Sequence, residues 1–134
     1  MDRDSRYVIL ISGDYLKLLN KKLIELGGGE GIGVKDTNLF ESLLVGYNQE
    51  VFGVKLYPDI ESKISYIVYS IICNHIFRDA NKRTGMVVLK SLCKKNNIDI
   101  SNIDIKKLAI LLATSKISID DLTYIIKNNN MYIY

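Results

Sequence analysis

The chain has 134 residues, of which 48% are hydrophobic and 25% charged, and it carries a formal net charge of +3. These are the values of an ordinary globular domain, and a chain of this length can bury a core without a disulfide or a structural metal. They argue against a membrane protein, because no apolar run approaches the roughly twenty residues of a span, and against a nucleic-acid-binding protein, because basic residues are dispersed among acids.

The cysteines and the start of the chain indicate where the protein works. Cys73 and Cys93 lie in apolar, helix-like stretches and lack the close pairing of a metal site or a disulfide framework. Residues 1–6 are highly charged and precede a short apolar run at 7–11, which does not resemble a secretion signal. We therefore expect a cytoplasmic protein that forms a single domain over residues 1–134.

The first predicted helix follows Ser12, whose hydroxyl can cap it. Its apolar residues recur at helical spacing: Tyr15, Leu16, Leu19, Leu23 and Leu26. The helix should end at Gly27, because five glycines fall between Gly27 and Gly33. A phosphate-binding loop is one interpretation of these glycines. No strand precedes them and no Gly-Lys-Ser/Thr follows, so we interpret them as a surface loop.

The next elements are a short helix and a hairpin. Asp36 can cap a helix that runs through residue 47, with Leu39, Leu43 and Leu44 facing inward. Residues 48–57 place apolar side chains around Gly53, and this pattern predicts a β-hairpin or extended flap.

The second half of the chain predicts four more helices. DIESKISYIVYSIICNHI, which begins at Asp59 after Pro58, is apolar on most sides and should be the central helix. After a polar break at 77–80, the pattern resumes as NKRTGMVVLKSLCKK and ends near residues 96–97. Two shorter helices follow at about 104–115 and 120–128, the latter behind a capping signal, Ser118-x-x-Asp121. The tail from residue 131 shows no clear pattern, and the sequence predicts a compact all-α domain with a small β-hairpin flap.

Chemistry-bearing residues concentrate in H-I-F-R-D-A-N-K-R, residues 75–83. His75 is the only histidine, and we place it in the last turn of the central helix, where its imidazole can act as a general base toward a hydroxyl. Phe77 should fix the loop against the core. Asp79 offers the hard oxygen ligand that Mg²⁺ takes when phosphates supply other ligands.

The end of the same motif predicts an anion site. The backbone N–H groups of Ala80, Asn81 and Lys82 should open the next helix, where hydrogen bonding and the helix dipole favour an anion. Lys82 and Arg83 add positive charge, and the planar fork of Arg83 can bind two phosphate oxygens. A base, a metal ligand and an anion site suit transfer of a phosphate-bearing group from a nucleotide to a protein hydroxyl. Each residue alone has a structural explanation, so the prediction depends on their order and spacing.

HIFRDANKR, followed by Thr84-Gly85, resembles the signature of the Fic/Doc superfamily. It is closer to the Doc (death-on-curing) toxin branch than to the Fic branch, whose version resembles His-Pro-Phe-x-x-Gly-Asn-Gly-Arg. VKDTNLFESLL, Leu56-Tyr57-Pro58 and ATSKISIDDL are also similar to segments of Doc-like proteins.

The resemblance implies a role for each residue of the motif. His75 would be the base and Asp79 would hold Mg²⁺. Asn81, Lys82 and Arg83 would bind the phosphates of ATP, and the flap would align the target segment.

In the Doc branch, the resemblance implies a toxin kinase that delivers the γ-phosphate of ATP to a threonine of elongation factor Tu and stops translation. A separate antitoxin would silence it through a disordered tail. In the Fic branch it implies AMP transfer. Two departures from the Fic pattern favour the kinase: Lys82 stands in place of a glycine, and Met86 in place of a second arginine.

Two further possibilities accompany the resemblance. Thr37-x-x-x-Glu41 matches the inhibitory string of some Fic proteins, but we interpret Glu41 as a packing or capping residue. A non-catalytic peptide-binding module is the other alternative to an enzyme. Such a module would not need to keep both His75 and Asp79.

Overall fold

The computed structural model describes residues 10–131. Within them the elements follow in this order: α1 Gly13–Gly27, α2 Thr37–Gly46, β1 Glu50–Val51, β2 Val54–Lys55, α3 Ile60–Cys73, α4 Asn81–Lys95, α5 Ile105–Ala113 and α6 Ile119–Asn128. The predicted all-α fold with a small hairpin is confirmed. The charged start and the last three residues of the predicted single domain lie outside the described residues. Across residues 10–131, none of the helices combines the length and apolarity that a bilayer crossing requires.

Side-chain caps fix the starts of α1, α2 and α6 at the residues that the sequence predicts. Ser12 Oγ accepts an N–H from the first turn of α1 at 3.1 Å, and Asp36 Oδ1 accepts one from α2 at 3.0 Å. At α6, Ser118 and Asp121 form the predicted reciprocal capping box. Each cap satisfies an N–H group that has no acceptor inside its helix, and contributes about 1 kcal/mol.

The buried faces of the first two helices differ in part from the predicted ones. In α1 the apolar face ends early, because Leu26 is 85% exposed. In α2, Phe40 and Leu43 are buried, whereas Leu39 is 37% exposed, so the prediction that Leu39 faces inward is wrong. Leu39 and Phe40 point in directions about 100° apart on the helix. Phe40 faces the core, where its ring packs edge-on against Phe77, with 6.0 Å between the centroids.

α3 is the central helix, as predicted, and it packs against α2, α4, α5 and α6. It is in close contact with α4 at Gly85, where a Cβ would lie 2.5 Å from Cγ1 of Ile72. The absence of a side chain therefore lets the two helix backbones approach each other. The loop that joins these helices is held at both ends by the core.

The start of α3 is tied to the last turn of α6. Asp59 and Ser62 form a capping box, and Nζ of Lys127 lies 2.6 Å from Oδ2 of Asp59. Burial acts to raise the pKa of Asp59, but hydrogen bonds from Lys127 and Ser62 outweigh it and lower the pKa to about 2.

Residues 48–57 form the predicted hairpin, which we call the flap. Its strands pair antiparallel through Glu50 with Lys55 and Val51 with Val54. The two turn residues, Phe52 and Gly53, have positive φ values of 51° and 78°, which are those of a type I′ turn. Phe52 is fully exposed, at 100%.

A buried lysine holds the base of the flap. Nζ of Lys63 donates to the carbonyls of Tyr47, at 3.0 Å, and Tyr57, at 2.7 Å. Tyr47 directly precedes the flap and Tyr57 is its last residue, and Lys63 is only 4% exposed. Burial lowers the pKa of Lys63. The lysine thus satisfies two carbonyls where the chain leaves and re-enters the core.

Candidate active site

The motif at 75–83 forms the connection between α3 and the first turn of α4. The prediction that His75 lies in the last turn of the central helix is wrong, because α3 ends at Cys73 and His75 follows with a left-handed φ of 51°. A left-handed residue after the last turn is a common way to end a helix. It leaves His75 exposed. Within residues 10–131 its imidazole has no hydrogen-bond or ion-pair partner, so both ring nitrogens are accessible.

Phe77 and Asn81 fix the loop from the inside. The Phe77 ring is 1% exposed. Oδ1 of Asn81 accepts the N–H of Phe77 and Nδ2 of Asn81 donates to the Phe77 carbonyl, each at 3.0 Å. The Asn81 side chain therefore holds the loop, and these bonds leave one N–H of its amide and its backbone N–H unused.

A second segment of chain holds the loop from the outside. Lys35 N–H donates to the Ile76 carbonyl at 2.8 Å, and Arg78 N–H donates to the Gly33 carbonyl at 3.0 Å. Val34 and Phe77 form an antiparallel bridge between these bonds. The loop is thus paired like a short strand, which restricts its backbone to one conformation.

The Asp79 carboxylate is held by two backbone N–H groups. Oδ2 accepts from Glu30 and Oδ1 accepts from Ala80, both at 2.7 Å. The hydrogen bond from Glu30, then that from Ala80, and the charge of Arg83 lower the pKa of Asp79. A carboxylate offers about four acceptor positions, so about two remain open to a further ligand.

A buried asparagine that the sequence analysis did not single out supports this loop. Asn20 of α1 is 1% exposed. Its Nδ2 donates to the Asp79 carbonyl at 2.9 Å and to Oγ1 of Thr84 at 3.1 Å. Its position on the buried face of α1 was the signal in the sequence that could have identified it, because a buried polar side chain needs hydrogen-bond partners. Asn20 joins the residue before the turn to the first turn of α4, and so fixes the angle between them.

The start of α4 is open to an anion, although not through every predicted group. The prediction that Ala80 offers its N–H is wrong, because that N–H donates to Asp79. Ala80 instead has a left-handed φ of 61° and no side-chain cap. The N–H groups of Asn81, Lys82 and Arg83 form the uncapped first turn, and this turn contains no acidic residue. Such a helix end attracts anions through its N–H groups and its dipole.

The guanidinium of Arg83 is partly engaged by the end of α1. Nη1 donates to the Leu23 carbonyl at 3.1 Å and Nη2 donates to the Gly28 carbonyl at 2.7 Å. A Cβ on Gly27 would lie 2.6 Å from Nη1. The glycine-rich segment is exposed, as predicted, but it also contacts the motif at Arg83 and Asp79. Two of the five N–H groups of Arg83 are used and three remain.

The motif lines a pocket of about 430 Å³, and most of the predicted site residues share it. Its walls are Ile72, His75, Arg78, Asp79, Ala80, Asn81, Lys82, Arg83 and Ala113. Lys82 is exposed at the rim. In the described part of the chain, no cluster of three or more His, Cys, Asp or Glu residues could hold a metal by itself. An ion at Asp79 would need oxygen ligands from a bound molecule and from water, which is how Mg²⁺ is bound with phosphates.

Two other residues that the resemblance brought up lie outside this pocket. Glu41 is exposed on α2 and, within residues 10–131, forms no hydrogen bond or ion pair. The interpretation of Glu41 as a packing or capping residue is therefore wrong, and its carboxylate does not contact the motif. Met86 packs against the core beside α3 and α5. Neither residue adds a charge to the pocket.

The sequence profile of the Fic/DOC family matches residues 10–93, which is more than half of the chain. The matched region runs from the start of α1 to the last turn of α4 and contains the whole motif. No curated protein matches the chain.

Proposed function

The chain belongs to the Fic/DOC family, and from this we propose that it is an ATP-dependent kinase of the Doc branch that phosphorylates a protein hydroxyl. One observation carries the proposal. A single pocket unites an accessible imidazole at His75, a fixed carboxylate at Asp79 and the uncapped N-terminus of α4. These are the base, the metal ligand and the anion site that phosphoryl transfer requires.

In the proposed reaction, His75 accepts the proton of the target hydroxyl while the hydroxyl oxygen bonds to the γ-phosphorus of ATP. The bond from that phosphorus to the oxygen bridging the β- and γ-phosphates breaks, and ADP leaves. The N–H groups of Asn81 and Lys82, together with Arg83, stabilise the charge on the phosphates. When bound at Asp79, Mg²⁺ supplies further positive charge to the phosphate oxygens.

AMP transfer is the alternative, with attack at the α-phosphorus and pyrophosphate leaving. Two features of α4 favour the kinase. Lys82 places a long exposed side chain at the helix start, where a close approach of the α-phosphate would need a small residue. Met86 packs into the core, so α4 supplies one arginine to the phosphates rather than two.

The flap supports a protein as the acceptor. Three of its four strand side chains are exposed. Within residues 10–131 the two strands pair only with each other, so their outer edges can pair with an extended segment of another chain. Phe52 occupies a turn position with positive φ, where a side chain other than glycine costs about 1 kcal/mol, and it is 100% exposed. A strained, fully exposed aromatic side chain suits contact with a partner.

Following the resemblance of the motif, we propose a threonine of elongation factor Tu as the target and arrest of translation as the outcome. We also propose an antitoxin with a disordered tail as the natural inhibitor. The same active site would serve any protein whose hydroxyl the flap presents to His75.

The test is to incubate the protein with elongation factor Tu, Mg²⁺ and ATP labelled at either the α- or the γ-position. We expect γ-label and a mass increase of one phosphate on the target. His75→Ala should abolish transfer, whereas Lys94→Gln, which removes a distant exposed charge, should not. Transfer of α-label would identify an AMP transferase instead.

Phe52→Asn separates target recognition from nucleotide binding. Asparagine favours the type I′ turn, so the flap should stay folded. We expect nucleotide affinity to be unchanged and the rate of target labelling to fall at least several-fold.

A His75→Ala variant that inhibits growth as strongly as the parent would favour the non-catalytic binding module.

A further inference from the structure

Arg78 is a residue of the motif for which the proposed reaction gives no role. Its backbone is fixed, because its N–H donates to the Gly33 carbonyl at 3.0 Å. Its side chain runs over the glycine-rich loop, with Cδ 3.4 Å and Cβ 3.5 Å from where a Cβ on Gly31 would lie. The arginine stem therefore lies against the loop at ordinary contact distance, and the side chain lines the same 430 Å³ pocket as His75.

The guanidinium of Arg78 is available to a ligand. Within residues 10–131 it has no hydrogen-bond acceptor and no ion-pair partner, so all five of its N–H groups are open. Arg83 differs, because the end of α1 takes two of its N–H groups. Of the two guanidinium groups in this pocket, that of Arg78 thus has more N–H groups available to a ligand.

The choice of arginine at this position is also informative. Of the 18 basic residues in the sequence, only four are arginines, and the two within the described region are Arg78 and Arg83. Both line the pocket. Lysine is a point charge, whereas the planar arginine fork can bind two oxygens of one phosphate. In residues 10–131, where every other Lys or Arg position is a lysine, arginines at these two positions suit phosphate recognition.

We propose that Arg78 is a second phosphate-binding residue and that it binds the terminal phosphate of the nucleotide. This inference rests on the proposed function. Arg78 follows His75 by three residues and precedes Asp79, and all three line the same pocket. The N-terminus of α4 and Arg83 would hold one phosphate, and Arg78, which lines the same pocket as His75, would hold the phosphate that is transferred.

The inference is tested by calorimetric titration of the whole protein with ATP, ADP and AMP, each with Mg²⁺. Arg78→Gln removes the charge and Arg78→Lys keeps it without the fork. Because the Arg78 side chain has no partner in the described structure, both variants should fold like the parent, and circular dichroism checks this. Lys94→Gln is the matched control, since it removes an exposed charge about 16 Å along α4 from Arg83.

We expect Arg78→Gln to weaken ATP binding on the order of tenfold to a hundredfold, because charge-assisted hydrogen bonds to the terminal phosphate are lost. AMP binding should be unchanged. Arg78→Lys should fall between, and Lys94→Gln should match the parent. If the parent prefers ATP to AMP and Arg78→Gln keeps that preference, the inference is overturned while the proposed function stands. If the parent binds none of the three nucleotides, the proposed function fails and the inference fails with it.

Discussion

Replacing Asn20 by alanine tests how the motif loop is held. The change removes two hydrogen bonds from Nδ2, to the Asp79 carbonyl and to Thr84 Oγ1. Each is worth about 1 kcal/mol, and both acceptors are left without this donor in a buried site, so we expect a loss of about 2 kcal/mol in the free energy of unfolding. For a chain of this size that is a fall in melting temperature of about 6–10 °C.

The assay is unfolding in guanidinium chloride followed by circular dichroism, with thermal melts in parallel. Lys21→Ala, on the exposed face of the same helix, is the control and should change stability by less than about 0.5 kcal/mol. Thr84→Val removes one of the two acceptors and should cost about 1 kcal/mol.

A double-mutant cycle makes the test sharper. Because Asn20 and Thr84 share one hydrogen bond, the double variant should cost about 1 kcal/mol less than the sum of the single variants. Strictly additive costs, or an Asn20→Ala variant as stable as the control, would refute the reasoning.

Three further changes test the scaffold around the site. Gly85→Ala should destabilise the fold by about 1–3 kcal/mol, because the new Cβ meets Ile72, and a melt equal to that of the parent would contradict the close helix contact. Asp59→Asn keeps the helix cap but loses the ion pair with Lys127; since Asp59 is 38% exposed, we expect only about 1 kcal/mol at pH 7. The pKa of Asp59 in the folded protein, about 2, is below its value in the unfolded chain. The difference in stability between parent and Asp59→Asn should therefore be present above about pH 4 and vanish as the pH falls toward 2. A stability difference that does not depend on pH would argue against a stabilising ion pair. Lys63→Met should leave two carbonyls unpaired and speed hydrogen exchange in the flap, and unchanged exchange there would show that the lysine is not its anchor.

The positions of the elements were readable from the sequence because their signals are local. Ser12, Asp36 and Ser118 are each an N-cap residue, and the first turn of the helix that each one caps follows directly in the sequence. The flap was readable in the same way, from a glycine between short apolar runs. Caps, turns and helical periodicity depend on neighbours within a few residues, so one sequence is enough to detect them.

The main residues of the candidate site could also be read from a local signal, because His75, Asp79 and Arg83 fall in one short motif. The residues that contact this motif from elsewhere in the chain could not be read in this way. Asn20 reaches Asp79 across 59 positions, Glu30 reaches it across 49, and Arg83 reaches Gly28 across 55. Such partners become neighbours only when α1 packs beside α4, and no periodic pattern encodes which polar groups then meet.

The same distinction explains the three corrections at the site. The left-handed turns at His75 and Ala80 take the imidazole off the helix and direct one N–H to Asp79 rather than to the pocket. Glu41 lies on the exposed side of α2 because Phe40 takes the inward position. The sequence by itself determined which helices form and which short motif supplies most of the candidate site. Only the tertiary structure decided which of their polar groups stay open to a ligand, because hydrogen bonds between distant segments are set by how the helices pack.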